Sequence, residues 1–168
     1  MHADSDVQSR IDKLDLEPIK FKLAKASNFT NDEIALTEKW YRRFLFLAWK
    51  YPDRAIVIPE PVDEMWHHHI LDTRKYADDC NSAFGEFLHH FPYFGLRGAD
   101  DARALRQAFE ETNEIMQGQY GENARDEFGA LRTEWSNEEA ASSCSDCSGS
   151  WRSPFPQGEE RPRLTPPI

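Results

Sequence analysis

Five of the six histidines lie in one stretch of the chain, residues 62–92. They are His67, His68, His69, His89 and His90. A neutral imidazole is a common ligand for zinc and for non-haem iron. Buried histidines that only make hydrogen bonds are also ordinary in protein cores. The stretch therefore predicts either a metal site or a set of structural histidines.

Carboxylates lie one helical turn from two of these histidines. Asp63 precedes His67 by four residues, and Asp72 follows His68 by four. A carboxylate at that spacing can accept a ring N–H and fix the tautomer, as it does behind many metal-bound histidines. The same pairing satisfies a structural histidine. Because successive helical residues turn by about 100°, the three adjacent histidines cannot share one face.

The predicted metal site draws on both histidine clusters. Its candidate ligands are His67, His69, His89, His90 and Asp63. Imidazoles with a carboxylate suit zinc or non-haem iron. Glu64, Glu86 or Cys80 could complete the set, and a cysteine would favour zinc or copper. We interpret Cys80 as a buried apolar residue. No catalytic residue is assigned, and whether the protein is an enzyme is left undecided.

Three other motifs are weaker. Glu64-Met-Trp-His67 and Glu86-Phe-Leu-His89 both read Glu-x-x-His, the pair found in di-iron bundles. We disfavour that site because the second pair lies on a short segment directly after the first. Cys144-Ser-Asp-Cys147 is a lone C-x-x-C without a second pair or nearby histidines, so a zinc knuckle is incomplete.

The apolar pattern predicts an all-α fold, a compact bundle of about five helices with a disordered C-terminal tail. Thr30 and Glu33 form a capping box that starts a long helix, and Pro52 ends it. A central helix should begin at Pro61 or Val62 and run to about Cys80, placing Trp66 against the Thr30 helix.

Shorter elements complete the predicted bundle. The N-terminal segment and the residues after Leu16 should form two short helices. A helical turn should span Ala83 to Leu88, and another helix should follow a cap at Asp100 or Asp101 and end at Gly118 or Gly121. One more helix is predicted from Glu122 to Trp135. The run Ala55-Ile56-Val57-Ile58 is interpreted as an extended connector, since no second strand signal pairs with it.

The composition bounds the domain organisation and the partners. The chain has 168 residues, 39% of them hydrophobic, and a formal net charge of −10. We expect a helical domain over residues 1–135 and a disordered tail rich in Ser, Pro and charge over 136–168. The acidic balance argues against duplex nucleic acid, which binds clustered basic residues. The chain lacks a signal-peptide pattern and an apolar run of about 20 residues, which predicts a cytoplasmic protein without membrane association.

The segment from Val62 to Thr73, together with the later His89-His90-Phe91-Pro92, resembles the glycine-rich domain-containing protein-like family. Tyr41-Arg42-Arg43-Phe44-Leu45 and Tyr51-Pro52-Asp53 extend the likeness, which covers roughly residues 16–120. The resemblance implies no defined activity. Relatives often end in a Cys- and Gly-rich tail, of which this chain keeps only two cysteines, Cys144 and Cys147.

These observations predict a small cytoplasmic protein of undefined activity that binds a zinc or iron ion through its histidine cluster. The alternative is a non-enzymatic helical interaction module in which the histidines are structural, with a protein partner bound through the helical domain or the tail. The sequence does not distinguish the oligomeric states.

Overall fold

Six helices and three very short strands make up the described part of the chain. The computed structural model describes residues 2–121, 126–127 and 148–150. The elements are α1 (His2–Asp12), α2 (Glu17–Ala26), α3 (Asn31–Lys50), β1 (Ile56–Val57), α4 (Glu60–Leu71), α5 (Thr73–Phe84), β2 (His89–His90), α6 (Ala99–Tyr120) and β3 (Ser148–Ser150). The predicted all-α class is confirmed.

Helix α3 begins at the predicted capping box. The Glu33 backbone N–H donates to the Thr30 hydroxyl at 3.3 Å, and the Thr30 N–H donates to the Glu33 carboxylate at 2.8 Å. The helix lays a wide apolar face on α4, where the Phe44 and Trp66 ring centroids are 4.7 Å apart. Trp66 is fully buried. The predicted packing of these two helices is therefore present.

The predicted continuous central helix is wrong, because the chain breaks at Asp72. Asp72 has a non-helical ψ of 71° and separates α4 from α5. Its backbone N–H still donates to the His69 carbonyl, and its carbonyl accepts the Tyr76 N–H at 2.8 Å to start α5. Aspartate favours such helix boundaries because its short side chain competes with the helical hydrogen bonds. The break allows α5 to pack against α4.

The predicted helical turn from Ala83 to Leu88 is also wrong. Helix α5 continues to Phe84 and ends at Gly85, which adopts the left-handed conformation with φ at 83°. The chain then turns into β2 instead of forming another turn of helix. Glycine adopts this left-handed conformation with little strain, whereas other residues are strained at positive φ.

A small antiparallel sheet joins three distant parts of the chain in the order β1-β3-β2. Gly149 lies opposite Ile56 on one side and His90 on the other. The expectation that the Ile56-Val57 segment has no strand partner is therefore wrong. Its partner, Ser148-Gly149-Ser150, comes from the predicted tail and carries no strand-like sequence pattern.

Two apolar clusters form the core. The larger one lies between α1, α2, α3, α4 and α5. Its largest fully buried side chains are Trp40, Trp66, Tyr41, Tyr76 and Phe44. A smaller cluster, which contains Val57, Phe94, Leu105 and Phe109, attaches α6 to β1.

Helix α6 ends at Gly121, as predicted, but neither Asp100 nor Asp101 caps its start. Its N-cap residue is Gly98, without a side-chain cap. Asp101 instead accepts the backbone N–H groups of Gly95 and Arg97 in the preceding loop, at 2.7 and 3.1 Å. An aspartate near a helix start can accept hydrogen bonds from the first helical N–H groups or from N–H groups of the preceding loop. Here the loop geometry favours the loop.

The predicted helix from Glu122 to Trp135 and the tail over 136–168 lie largely outside the described residues. Two short pieces are described: Asp126 and Glu127 are helical, and Ser148–Ser150 is β3. Cys144 and Cys147 also fall outside them. Within the described ranges, no helix is long and apolar enough to cross a lipid bilayer.

Candidate metal centre

Asp63, His67 and His90 meet at one point between α4 and β2. Each offers one ligand atom, and these three atoms lie within 4.8 Å of one another. The Nε2 atoms of His67 and His90 are 3.2 Å apart. Two ligands about 2.0–2.1 Å from one ion at tetrahedral or octahedral angles are separated by about 2.8–3.4 Å. The two imidazoles are therefore spaced to share an ion.

Asp63 contributes a buried carboxylate whose second oxygen has no hydrogen bond. The residue is 7% exposed, and its Oδ2 lies 3.3 Å from Nδ1 of His67. Its Oδ1 is buried, has no hydrogen-bond partner among the described residues, and lies 3.8 Å from Nε2 of His90. An unpaired buried carboxylate oxygen is costly unless a cation or a donor reaches it. Oδ1 is therefore an acceptor that a donor or a cation between Asp63 and the two imidazoles would satisfy.

The elements account for this placement. Asp63 and His67 are four residues apart on α4, so they lie on the same face. Asp63 is also in the first turn, where the helix dipole favours a negative charge. His90 arrives from β2, and its ring meets the Trp66 ring edge-on at a centroid distance of 4.6 Å.

His69, a predicted ligand, lies outside this cluster. The residue is 1% exposed, and both ring nitrogens are already occupied. Nδ1 is 2.8 Å from the Tyr41 hydroxyl, and Nε2 is 2.9 Å from the Asp79 carboxylate. Burial lowers the pKa of His69 and outweighs the opposing effect of Asp79. This histidine matches the structural alternative, because it has no nitrogen left for an ion.

His89 and His68 are also outside the cluster. His89 is exposed, and its ring packs on Phe87 at a centroid distance of 4.9 Å. His68 is half-buried with Nε2 unpaired in the described structure, and burial lowers its pKa. The structure thus brings together three of the five predicted ligands, namely Asp63, His67 and His90.

The additional candidate ligands are also placed elsewhere. The Glu64 carboxylate accepts the Ser27 hydroxyl, and Glu86 is exposed. Cys80 is buried, as expected for an apolar residue, and burial raises the pKa of its thiol. The two Glu-x-x-His pairs therefore do not converge, because His89 is exposed while His67 faces Asp63. These positions argue against a di-iron site built from the two pairs.

Sequence reasoning missed the partners that hold these histidines. Tyr41 and Asp79 fix His69, while Tyr76 links Trp66 to the backbone before β2. Asp79 lies ten residues after His69, across the break at Asp72. Asp79 comes close to His69 because the helix breaks at Asp72. The apolar pattern does not reveal this break, because it continues at helical spacing through Asp72. Helical spacing along a single helix could not have identified it.

Comparison with known proteins identifies the family of the chain. A family model described as UCP032817-like matches residues 8–119, which include Asp63, His67 and His90. The chain belongs to the UCP032817-like family. The resemblance to glycine-rich domain-containing proteins is therefore wrong, because the model that matches this region belongs to a different family. No curated protein and no solved structure matches the chain.

Proposed function

We propose that this protein binds one divalent transition-metal ion through Asp63, His67 and His90. The observation that carries the proposal is the buried Oδ1 of Asp63. Within the described part of the chain it has no hydrogen-bond partner, and it lies beside two imidazoles spaced to share an ion. A divalent cation would supply the charge that this oxygen lacks.

The donor set favours zinc or ferrous iron. Two imidazoles and one carboxylate form the facial ligand set of non-haem iron proteins, and zinc enzymes use the same donor types. Three protein ligands leave at least one coordination position for water or a substrate. The His67 side chain is 40% exposed, while those of Asp63 and His90 are 10% and 12% exposed. The open positions should therefore face solvent on the His67 side.

Second contacts could hold the ligand rings in place. With Nε2 of His67 directed to the ion, its Nδ1–H would donate to Oδ2 of Asp63, which lies 3.3 Å away. Such a carboxylate orients a metal-bound histidine and raises its basicity. Asp63 would then orient one ligand through Oδ2 while it binds the ion through Oδ1.

The proposed partners follow from the sequence. The formal charge of −10 argues against duplex nucleic acid, and the cytoplasmic location stays a prediction. A small molecule at the open coordination positions is a more specific expectation than a protein partner, because the site offers defined donors for it.

Metal analysis of protein prepared without a histidine tag tests the proposal. The wild type should carry about one zinc or iron ion per chain after gel filtration. His67→Ala and His90→Ala should each weaken binding by more than the roughly 10–100-fold typical of losing an outer-shell partner. Asp63→Asn should do the same, because it removes the charge while keeping the shape.

His89→Ala is the matched control. It removes an imidazole directly beside His90, but His89 is exposed and outside the cluster. It should retain the full metal content. Wild-type protein that binds neither zinc nor iron would overturn the proposal, and so would an equal loss in His89→Ala and His90→Ala.

A further inference from the structure

A chain of hydrogen bonds runs from α4 through α5 to the residues before β2. The Trp66 indole N–H donates to the Tyr76 hydroxyl at 3.0 Å, and that hydroxyl donates to the Leu88 carbonyl at 2.7 Å. Burial raises the pKa of Tyr76, so the hydroxyl stays protonated and can donate. All three groups are buried, so these bonds replace contacts with water that the core excludes.

A second side chain of α5 also lies beside Leu88. Burial raises the pKa of the Cys80 thiol, one turn after Tyr76, and the neighbouring Leu88 backbone and Tyr76 hydroxyl oppose that rise. The observed hydrogen bond between α5 and Leu88 is the one from the Tyr76 hydroxyl to the Leu88 carbonyl. The Leu88 carbonyl cannot turn away without breaking this buried hydrogen bond.

Leu88 is two residues before His90, so the contacts that α5 makes with Leu88, called the clamp below, fix the position of the His90 ring. The same Trp66 whose N–H starts the chain also packs its ring edge against the His90 ring at 4.6 Å. Tyr76 thus connects the two surfaces that confine His90, namely the Trp66 ring and the backbone leading into β2. Tyr76 is not one of the three grouped residues Asp63, His67 and His90.

We propose that Tyr76 is a positioning residue, whose hydroxyl holds Leu88 and thereby places His90 opposite His67. The proposal rests on the proposed metal site for its function, but the clamp itself can be tested in metal-free protein. A ligand held within fractions of an ångström binds an ion more tightly than one that must be ordered on binding.

Tyr76→Phe and Tyr41→Phe form a matched pair. Both remove one hydroxyl from a fully buried tyrosine in the same core. Tyr41 bonds to His69, whereas Tyr76 bonds to Leu88. Zinc affinity, measured by competition with a chromogenic chelator, should fall about 10-fold or more in Tyr76→Phe. Tyr41→Phe should leave it unchanged.

A cobalt(II) spectrum gives a second readout. Cobalt absorption depends on ligand geometry, so a displaced His90 should shift the bands in Tyr76→Phe but not in Tyr41→Phe. Cys80→Ala removes the buried thiol that lies beside Leu88 and Tyr76 and should weaken zinc binding in the same direction. This second variant covers the case in which Tyr76→Phe fails to fold.

Hydrogen exchange in the presence of EDTA tests the clamp without metal. Peptides covering residues 87–92 should exchange faster in Tyr76→Phe than in the wild type, and Tyr41→Phe should match the wild type. If the wild type binds no metal, the proposed function is wrong, and this exchange result alone then tests the clamp. The inference is overturned if affinity and protection survive in both Tyr76→Phe and Cys80→Ala, or if the two tyrosine variants lose affinity equally.

Discussion

Asp101 and Asp63 are two aspartates with little exposure whose carboxylates differ in hydrogen bonding. Asp101 accepts hydrogen bonds from the Gly95 and Arg97 backbone and from the Arg97 guanidinium, so both of its oxygens are paired. Asp63 is more deeply buried than Asp101, yet its Oδ1 has no donor within the described structure. This contrast supports the proposed cation at Asp63 and a structural role for Asp101.

Asp101→Asn should destabilise the fold by about 1–3 kcal/mol, the usual range for hydrogen bonds to a charged group. Burial opposes ionisation of Asp101, but the Arg97 side chain and the two backbone N–H groups outweigh it and lower the pKa. The stabilisation should be complete above the unfolded-state pKa of about 3.9 and be lost as the pH falls through the lower folded-state pKa. Urea unfolding from neutral into acidic pH measures this.

Asp100→Asn is the control for that measurement. Asp100 is one residue away and pairs with Arg103, but its side chain is 92% exposed. Exposed ion pairs contribute little to stability. The two variants should therefore differ at neutral pH and converge in acid. A gap that persists in strong acid would show that the Asp101 contribution does not depend on its charge.

Predictability from sequence differs from element to element. The start of α3 was predictable because a capping box uses residues three apart. The break at Asp72 and the strand β2 were not, because apolar residues continue at helical spacing on both sides of Asp72. There, tertiary contacts such as the Tyr76 bond to Leu88 decide the outcome. The site was predictable as far as Asp63 and His67, which share a helix, while the choice of His90 over His89 depended on β2.

Gly85→Ala should destabilise the protein by about 1–2 kcal/mol, because a left-handed conformation strains a residue with a Cβ. A Cβ at Gly85 would meet no atom within 4 Å, so the cost comes from φ at 83° alone. Gly118→Ala makes the same change inside α6, also in open space. It should stabilise by about 0.5–1 kcal/mol. Thermal unfolding that shows the same sign for both would contradict this assignment.

At the scale of the whole molecule, the sheet links segments that are far apart in sequence. β3 lies between β1 and β2, and its Gly149 is opposite His90. Ser-Gly-Ser has low strand propensity, so nothing local predicts the pairing. The predicted boundary at residue 135 assumed that later residues have little to bury, and a pairing through backbone groups escapes that criterion.

Two truncations distinguish these views of the C-terminal segment. A chain that ends at Cys147 lacks β3, and a chain that ends at Trp151 retains it. The composition alone predicts that both are as stable as the full chain. The pairing with β1 and β2 predicts that only the shorter chain loses stability, by roughly 1–3 kcal/mol at about 0.5–1.5 kcal/mol per net hydrogen bond. Urea unfolding of the two chains compares them directly. Equal midpoints would show that β3 contributes nothing to the fold, and His90 would then be held by α4 and α5 alone.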